Sequence, residues 1–411
     1  MRETRFLHRA RLLGSRAAAC LLPLLLALVA AGCGEPATEA RDVGGEAGRG
    51  RPPRGEWPLF RGNPTSTGVA ESDLPASPAL LWSFEAPADI EGTAAIAGGR
   101  VYVGSLDGFL YALDLETGEA AWTFDAGAEI KSSPSVRDGV VYFGDELGRF
   151  HAVDAATGAE KWSFETLAGI VSGANFHGEN LVFGSYDNSL YALRSSDGAL
   201  QWKVETDGYV HGTPAIAGGF TTVSGCDGYL WLVSLADGTV ETKIELGGQT
   251  GSSPAVAGGL AYVGTYENQV LGIDLGSRSV RWSYEHPQRK FPYYASPAVD
   301  GGLVVIGGRD KIVHALDAAT GEARWTYPAG ARIDSSAVIA GGRAFLATTA
   351  GEVLALDLAS GERVWSWESG SAFTASPAVA AGRLVISSLD GVVYCFGEGG
   401  RSTPSQPEEK A

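Results

Sequence analysis

The chain has 411 residues, of which 48 are acidic and 31 are basic, and its formal net charge is −17 at pH 7. So large an excess of negative charge repels nucleic acid and anionic lipid, which excludes both as general partners. With 45% hydrophobic residues, the composition indicates a globular protein with a substantial core.

Residues 1–32 have the features of a lipoprotein signal peptide. Five arginines precede an apolar stretch, Leu21 to Ala31, that is too short to span a membrane as a stable helix. Small residues then lead to Cys33, and this junction resembles a bacterial lipobox with Ala30 where that motif usually has Leu. We therefore expect an exported protein that carries a lipid on Cys33, and ordinary secretion is the alternative.

Three further segments lie outside the repetitive part of the chain. Residues 33–56 contain almost nothing apolar to bury and are predicted to form a disordered tether. Residues 57–79 form a lead segment that opens with WPLFRGNPTSTG, and residues 398–411 are predicted to be a disordered tail. The remaining residues, 80–397, are expected to form one domain.

This domain repeats one stretch at a nearly fixed interval. ALDLETGEAAW, from Ala112 to Trp122, has six further copies at steps of 40 residues, except for one step of 43 between Trp282 and Trp325. Each period carries four short runs of apolar, β-branched and aromatic residues, which is typical of a propeller blade. Asp114 is predicted to accept hydrogen bonds from its Thr-Gly turn, and Trp122 to pack against the neighbouring blade.

The first strand and the last repeat of the domain together make up one four-stranded blade. Leu80 to Phe84 is a lone outer strand with no blade before it, and the last repeat, from Ser376 to Phe396, has three strands and no fourth. Joining them in one sheet removes the exposed edges that an open array would leave. The sequence therefore predicts an all-β, eight-bladed propeller of four-stranded antiparallel blades, closed by the N-terminal outer strand.

The pattern Ala-x-Asp-x-x-Thr-Gly-x-x-x-Trp resembles the repeat of the pyrroloquinoline-quinone-type propeller family over roughly residues 57–397. Five of the seven copies keep both the Asp and the Trp. The third copy has Arg194 for the Asp, and the fourth has Ser234 and Thr242 for both, so we expect weaker packing between blades there.

Within this family the chain is similar to single-domain envelope lipoproteins, among them the propeller subunit of the machinery that assembles outer-membrane β-barrels. The resemblance implies a monomeric scaffold that binds protein partners in the cell envelope. It also implies a lipid anchor in the outer membrane, with the propeller facing the periplasm.

Catalytic members of the same family hold a quinone with calcium, a tryptophan platform, an adjacent Cys-Cys disulfide and an Asp base. This sequence has no adjacent cysteines, and no His pair or His-Cys spacing indicates a metal site. We therefore predict no catalytic residue, no metal and no cofactor, and we interpret His151 and His314 as members of an aromatic packing row. A quinone-dependent or other redox enzyme is the alternative, and a sensor of a small ligand or glycan is another.

Blade geometry predicts one candidate site. If the first strand of each blade lines the channel, the residues that precede these strands ring one of its mouths. Taking the residue three before the Pro, or its equivalent, gives the mouth ring: Glu91, Lys131, Val171, His211, Gly251, Tyr294, Asp334 and Thr374. These residues are varied and partly charged, which packing alone does not require, so the mouth ring is a candidate binding site; a solvated rim is the alternative.

The basic loop, EHPQRKFPYYA from Glu285 to Ala295, carries the three extra residues of the long step. On an acidic chain it is a compact basic and aromatic segment, and Arg and aromatic side chains often anchor interfaces. It is predicted to contact a protein partner through His286, Arg289, Lys290, Phe291, Tyr293 and Tyr294. The alternative is that its aromatic side chains fold onto the channel mouth.

Overall fold

The computed structural model describes residues 55–399, in which 32 strands form eight four-stranded antiparallel sheets. Each sheet is one blade, so the predicted eight-bladed propeller is confirmed. The signal peptide over residues 1–32, Cys33, the tether up to residue 54 and the tail from residue 400 lie outside the described residues. Within residues 55–399 no helix is long and apolar enough to cross a membrane.

The first four complete blades follow one another along the chain. Blade 1 contains β2 (Ala95–Ala97), β3 (Arg100–Gly104), β4 (Phe109–Asp114) and β5 (Ala120–Asp125). Blade 2 contains β6 (Ser135–Arg137), β7 (Val140–Gly144), β8 (Arg149–Asp154) and β9 (Glu160–Glu165). Blade 3 contains β10 (Asn175–His177), β11 (Asn180–Ser185), β12 (Ser189–Arg194) and β13 (Leu200–Glu205). Blade 4 contains β14 (Ala215–Ala217), β15 (Phe220–Ser224), β16 (Tyr229–Ser234) and β17 (Val240–Glu245).

The other four blades include the one that closes the ring. Blade 5 contains β18 (Ala255–Ala257), β19 (Leu260–Gly264), β20 (Val270–Asp274) and β21 (Ser279–Tyr284). Blade 6 contains β22 (Ala298–Asp300), β23 (Leu303–Gly307), β24 (Ile312–Asp317) and β25 (Ala323–Pro328). Blade 7 contains β26 (Val338–Ala340), β27 (Arg343–Ala347), β28 (Glu352–Asp357) and β29 (Arg363–Glu368). Blade 8 contains β30 (Ala378–Ala380), β31 (Arg383–Ser387), β32 (Val392–Gly397) and, as its outer strand, β1 (Ala79–Glu85), which pairs antiparallel with β32.

Burial differs between the strands of a blade because they lie at different distances from the channel. Strand β4 is buried over most of its length, whereas β5 alternates, with Trp122 and Phe124 half-buried between exposed neighbours. Such alternation is the pattern of a strand with one packed face and one face in water. The apolar core lies between adjacent blades; one cluster joins Leu110 of blade 1 to Phe143 of blade 2.

Six outer-strand tryptophans each join one blade to the next, as the repeat predicted. Each indole Nε1–H donates to a carbonyl of the next blade's turn at 2.9 to 3.2 Å. Each ring also lies against a glycine of that turn, in the pairs Trp82 with Gly118, Trp122 with Gly158, Trp162 with Gly198, Trp202 with Gly238, Trp282 with Gly321 and Trp325 with Gly361. A Cβ on these glycines would lie 2.5 to 3.0 Å from ring atoms, and their φ is 72° to 76°, so both packing and backbone require glycine.

The fourth copy of the repeat lacks this contact, and the next blade shows a matching change. Thr242 stands at the tryptophan position of β17, and the following turn has Arg278, with a φ of 57°, at the glycine position. With no indole to avoid, the Arg278 side chain reaches back to Glu241, with Nη2 donating to Oε2 at 3.4 Å. An exposed ion pair therefore replaces a packed ring at this junction, so the weaker packing expected at the fourth copy is confirmed. The same expectation was wrong at the third copy, because Trp202 keeps its hydrogen bond to the Leu235 carbonyl at 3.2 Å and its contact with Gly238.

The lead segment fills the central channel, which the sequence did not predict. Between Trp57 and Ala70 it follows the innermost strands and accepts backbone hydrogen bonds from one blade after another. The accepting carbonyls belong to Pro58, Pro64, Thr65, Thr67 and Gly68, and the donating amides to Val136, Ile216, Val256, Val299 and Ile339. Trp57 also exchanges two backbone hydrogen bonds with Ile96 of blade 1. The lead segment therefore gives partners to strand edges that would otherwise face an open channel.

Arg61 is a buried cation within this segment. Its side chain is 1% exposed, and Nη2 donates to the Pro297 carbonyl at 3.0 Å. Within residues 55–399, Nε and Nη1 have no hydrogen-bond partner. Burial lowers the pKa of Arg61 to about 9.

Candidate binding site at the channel mouth

The links between blades and the hairpins between second and third strands lie on one face of the propeller, here called the mouth face. A backbone hydrogen bond joins each such hairpin to the link that precedes its blade. Examples are Leu106 N to Asp89 O and Tyr186 N to Gly169 O, both 2.9 Å. The loops of this face are therefore held against one another.

All eight residues of the mouth ring line one cavity of about 380 Å³ at this face. The repeat register therefore selected residues that the fold brings together, and their role in binding stays a prediction. A cavity of this size lies near the lower end of the range for small-ligand sites.

A second ring lies two residues beyond each mouth-ring position and lines the same cavity. This hydroxyl ring consists of Thr93, Ser133, Thr213, Ser253, Ser296, Ser336 and Ser376. Each side-chain oxygen accepts an N–H from the preceding blade at 2.7 to 3.1 Å, and the bond from Ser376 N to Thr93 Oγ1 joins the last blade to the first. The sequence reasoning missed this ring, although a Ser or Thr at one register in seven of eight repeats was a visible signal.

The gap in the hydroxyl ring lies in blade 3, where Gly173 stands at the equivalent position. A Cβ on Gly173 would lie 3.1 Å from Thr213 Oγ1 and 3.4 Å from the Cβ of Phe60. Phe60 belongs to the lead segment and also lines the cavity. Glycine at position 173 therefore lets the lead segment bring an apolar ring to the cavity wall.

The cavity lining carries more carboxylates than cations. Glu91, Glu146 and Asp334 line it, together with Lys131. Lys131 Nζ is 3.7 Å from Glu146 Oε1 and 3.8 Å from Glu129 Oε2, which is too long for a direct hydrogen bond. Burial raises the pKa of Glu91, Lys131 opposes this shift, and the Glu146 carboxylate adds to it.

Two aromatic stacks also lie at the channel mouth. Tyr186 lies between Tyr209 and His211, at ring-centroid distances of 5.0 and 5.7 Å. Its hydroxyl is 2.7 Å from His211 Nδ1. Burial lowers the pKa of His211 and raises that of Tyr186 to about 12, so both side chains are neutral at pH 7.

The second stack is tied to a carboxylate of the mouth ring. Tyr294 lies between Tyr266, at a ring-centroid distance of 4.3 Å, and Arg309, whose Cζ is 3.3 Å from the ring centre. Arg309 donates two hydrogen bonds to Asp334, Nε to Oδ1 at 2.8 Å and Nη2 to Oδ2 at 3.1 Å. This bidentate pair fixes the orientation of both side chains.

The basic loop is divided between the surface and the core. Arg289, Lys290 and Phe291 are exposed, and His286 is half-buried. Arg289 Nη1 donates to the Asp310 carbonyl at 2.9 Å, so one side of the loop is held to blade 6.

The remaining two residues of the loop prediction point inward. Tyr293 is 1% exposed and packs edge-on against His314, so it cannot reach a partner, and its prediction as a contact residue is corrected. Tyr294 lines the cavity. The partner contact therefore stays a prediction for the exposed residues of the loop, while Tyr293 and Tyr294 lie as the alternative interpretation describes.

The mouth face also presents exposed apolar side chains. Leu147, Leu167, Tyr209 and Phe291 lie in its loops and are 77%, 87%, 52% and 50% exposed. The other exposed large apolar residues within 55–399 all lie in outer strands: Leu80, Leu200, Val240, Val280 and Val364. Among residues 55–399 the exposed large apolar side chains in loops therefore all lie on the mouth face, which makes this face a candidate interaction surface.

The buried histidines lie in the third-strand row, as interpreted from the sequence. In this row the side chain hydrogen-bonds to a carboxylate of the preceding turn, as Tyr111 does to Asp107 at 2.6 Å. His314 makes the equivalent contact with Asp310 at 3.0 Å. His151 contacts Asp145 instead, at 3.2 Å, because Leu147 stands at the position of the usual Asp.

The cavity residues do not fit the quinone that the repeat family implies. Pyrroloquinoline quinone carries several carboxylates, and the lining offers an excess of carboxylates with its Lys131 beside Glu146. No tryptophan lines the cavity, and the two described cysteines, Cys226 and Cys395, are both unpaired. Among residues 55–399, no group of three or more His, Cys, Asp or Glu side chains is placed to hold a metal ion.

Comparison with known proteins gives one family and several related folds. The family model described as "Outer membrane protein assembly factor BamB" matches residues 72–172, 148–241 and 232–398. Among curated proteins, no sequence matches the chain.

Three solved structures illustrate the range of the fold. BamB from Moraxella catarrhalis is 20% identical, with a TM-score of 0.68 over 78% of this chain and 100% of that chain. The quinohemoprotein alcohol dehydrogenase of Comamonas testosteroni is 13% identical, with a TM-score of 0.72 over 84% of this chain and 81% of that chain. The computationally designed Ika8 protein is 17% identical, with a TM-score of 0.65 over 78% of this chain and 99% of that chain. At these identities the likeness shows the fold alone.

Proposed function

The chain belongs to the outer membrane protein assembly factor BamB family, and on this premise we propose that it is a non-catalytic scaffold for protein partners in the cell envelope. The specific form of the proposal is a role in the assembly of outer-membrane β-barrel proteins. It includes a lipid on Cys33, attachment to the outer membrane facing the periplasm, and a monomeric propeller.

The observation that carries the proposal is the set of exposed apolar side chains on the mouth face. Leu147 and Leu167 belong to blade 2 and the link that follows it, and Tyr209 belongs to the next link. Phe291 extends the set to the basic loop. Burying such groups against a partner is favourable by about 25 cal/mol per Å² of apolar area.

The loops of the mouth face stand on a ring whose blades are joined by many contacts. Tryptophan contacts between blades, the hydroxyl ring and the lead segment each join neighbouring blades. A receptor that is already rigid loses little conformational entropy on binding, and so retains more of the contact energy as affinity.

The distribution of charge on the mouth face favours one orientation of a docked partner. Glu91, Glu129 and Glu146 lie on or beside blades 1 and 2, while the exposed Arg289 and Lys290 lie in the link between blades 5 and 6. An asymmetric charge distribution of this kind selects one docking orientation and speeds association with a complementary surface.

The proposal is tested by in-cell photocrosslinking with a photoreactive residue in place of Arg289. We expect capture of a component of outer-membrane protein assembly, identified by mass spectrometry, and loss of that adduct when Lys290→Glu is added. Capture of no envelope protein by a correctly exported and folded chain would overturn the assignment of the basic loop to a partner. A matched crosslinker at Asp138, an exposed residue between β6 and β7, is the control on the opposite face.

A further inference from the structure

The mouth cavity offers hydrogen-bond donors that the fold does not use. Within residues 55–399, each oxygen of the hydroxyl ring accepts one backbone N–H and donates its own proton to no protein acceptor. All seven hydroxyls line the cavity with the proton still available, so the ring favours a ligand rich in acceptor oxygens.

The same cavity also offers acceptors. The carboxylates of Glu91 and Glu146 line it, and Glu146 Oε1 has no hydrogen-bond partner among the described residues. Asp334 supplies a third carboxylate, held in place by Arg309. Carboxylate oxygens accept hydrogen bonds from hydroxyl or ammonium groups.

Apolar surface in the cavity is limited to a few rings and one aliphatic side chain. Phe60 lines it from the lead segment, Tyr186 and Tyr294 from the two stacks, and Val171 from the mouth ring. Aromatic rings pack against C–H groups, but so polar a lining does not suit a lipid or another wholly apolar ligand.

We propose that this cavity binds a carbohydrate, either a mono- or disaccharide or the end of a longer glycan. A sugar presents hydroxyls that both donate and accept, together with C–H faces, and these match the carboxylates, the hydroxyl ring and the aromatic rings. The excess of carboxylates over cations sets an order of affinity, with amino sugars above neutral sugars and uronic acids last.

Ligand-observed NMR titration of the purified protein tests this with sugars that differ in charge. The panel consists of glucose, glucosamine and glucuronic acid, the same three forms of galactose and mannose, and the disaccharides chitobiose, cellobiose and maltose. We expect at least one series to bind in the order amino, neutral, uronic. Binding of none of these sugars, or tightest binding of a uronic acid, would overturn the proposal.

Variants distinguish the cavity from the surrounding surface. Val171→Trp fills the cavity and is expected to weaken sugar binding at least about tenfold. Val280→Trp makes the same substitution at an exposed position of outer strand β21 and should leave affinity unchanged. Glu91→Gln keeps the shape of the rim and should reduce the preference for amino over neutral sugars. Equal binding by Val171→Trp and the parent protein, both folded, would place the sugar elsewhere and refute the site.

A lysine peptide added to the same titration separates sugar binding from insertion of a partner's basic side chain. Displacement of a bound sugar by the peptide would show that the two compete for the cavity, and it would support the carbohydrate assignment. Binding of the peptide with no sugar bound at all would refute the carbohydrate assignment while leaving the scaffold proposal intact.

Discussion

Residue-scale features of this propeller come in pairs that span two blades. Trp82 lies on Gly118 of the next blade, and the same relation recurs at five further junctions between blades. At the junction after blade 4 both members of the pair are replaced: Thr242 stands in place of the tryptophan, and Arg278 stands in place of the glycine. The tryptophan and the glycine are therefore one structural unit, although they lie in different repeats.

Replacing Gly118 with alanine should destabilise the protein more than the same change at Gly127. Both glycines have positive φ, 75° and 78°, so both variants incur a backbone cost of about 1–2 kcal/mol. Only Gly118 lies against an indole, and overpacking there should add about 1–3 kcal/mol. Denaturant unfolding of the two variants measures the difference, and equal losses would show that the tryptophan contact does not require glycine.

These local features could be predicted because each depends on a few residues at a fixed register. The turn aspartates behave as expected; Asp114 Oδ1 accepts from the amides of Glu116 and Thr117, both at 2.9 Å, and these bonds lower its pKa. The mouth ring was predictable for the same reason, since the entry to each first strand is fixed by the repeat. The burial of Tyr293 was not, because it depends on how three extra residues fold.

At the scale of elements, the lead segment is the part of the fold that the sequence did not reveal. It has no repeat and no strand pattern, and its bonds with the innermost strands join residues up to 271 positions apart, as between Gly68 and Ile339. Such non-local pairing leaves no periodic signal. The path of Phe60 to the cavity wall and the burial of Arg61 could not be predicted for the same reason.

The buried Arg61 of the lead segment makes the stability of the protein depend on pH. Its pKa falls from 12.5 to about 9 on folding, so between these values the unfolded chain binds more protons than the folded one. Stability should therefore rise with pH in this window, by up to about 1.4 kcal/mol per pH unit. Tyrosines with raised pKa values have the opposite effect, so the comparison must isolate Arg61.

The comparison is between the parent protein and Arg61→Met, unfolded in urea from pH 7 to pH 10.5. Methionine cannot titrate, whereas the tyrosines are common to both proteins and cancel in the difference. The difference in unfolding free energy should be constant up to about pH 8 and then move in favour of the parent protein as Arg61 loses its proton. A difference that stays constant to pH 10.5 would show that Arg61 keeps an ordinary pKa.

At the scale of the whole molecule, the closed ring of blades determines which surfaces the protein offers to a partner. Strand count predicted that β1 would complete blade 8, and its pairing with β32 leaves neither end of the array open. With its channel filled by the lead segment, the propeller offers a partner its two loop faces and its outer strands. Among residues 55–399, the exposed large apolar side chains of the loops all lie on the mouth face, whereas those of the outer strands are spread singly over five blades.

The most direct test of the scaffold account compares matched aspartate substitutions on two surfaces. Leu167→Asp changes an exposed residue of the mouth face, and Val240→Asp changes an exposed residue of outer strand β17. Recovery of the partner captured through position 289 should fall about tenfold for Leu167→Asp, from the lost burial of one apolar side chain, and stay unchanged for Val240→Asp. Loss of the partner from Val240→Asp, with Leu167→Asp unaffected, would contradict the account and move the binding surface to the outer strands.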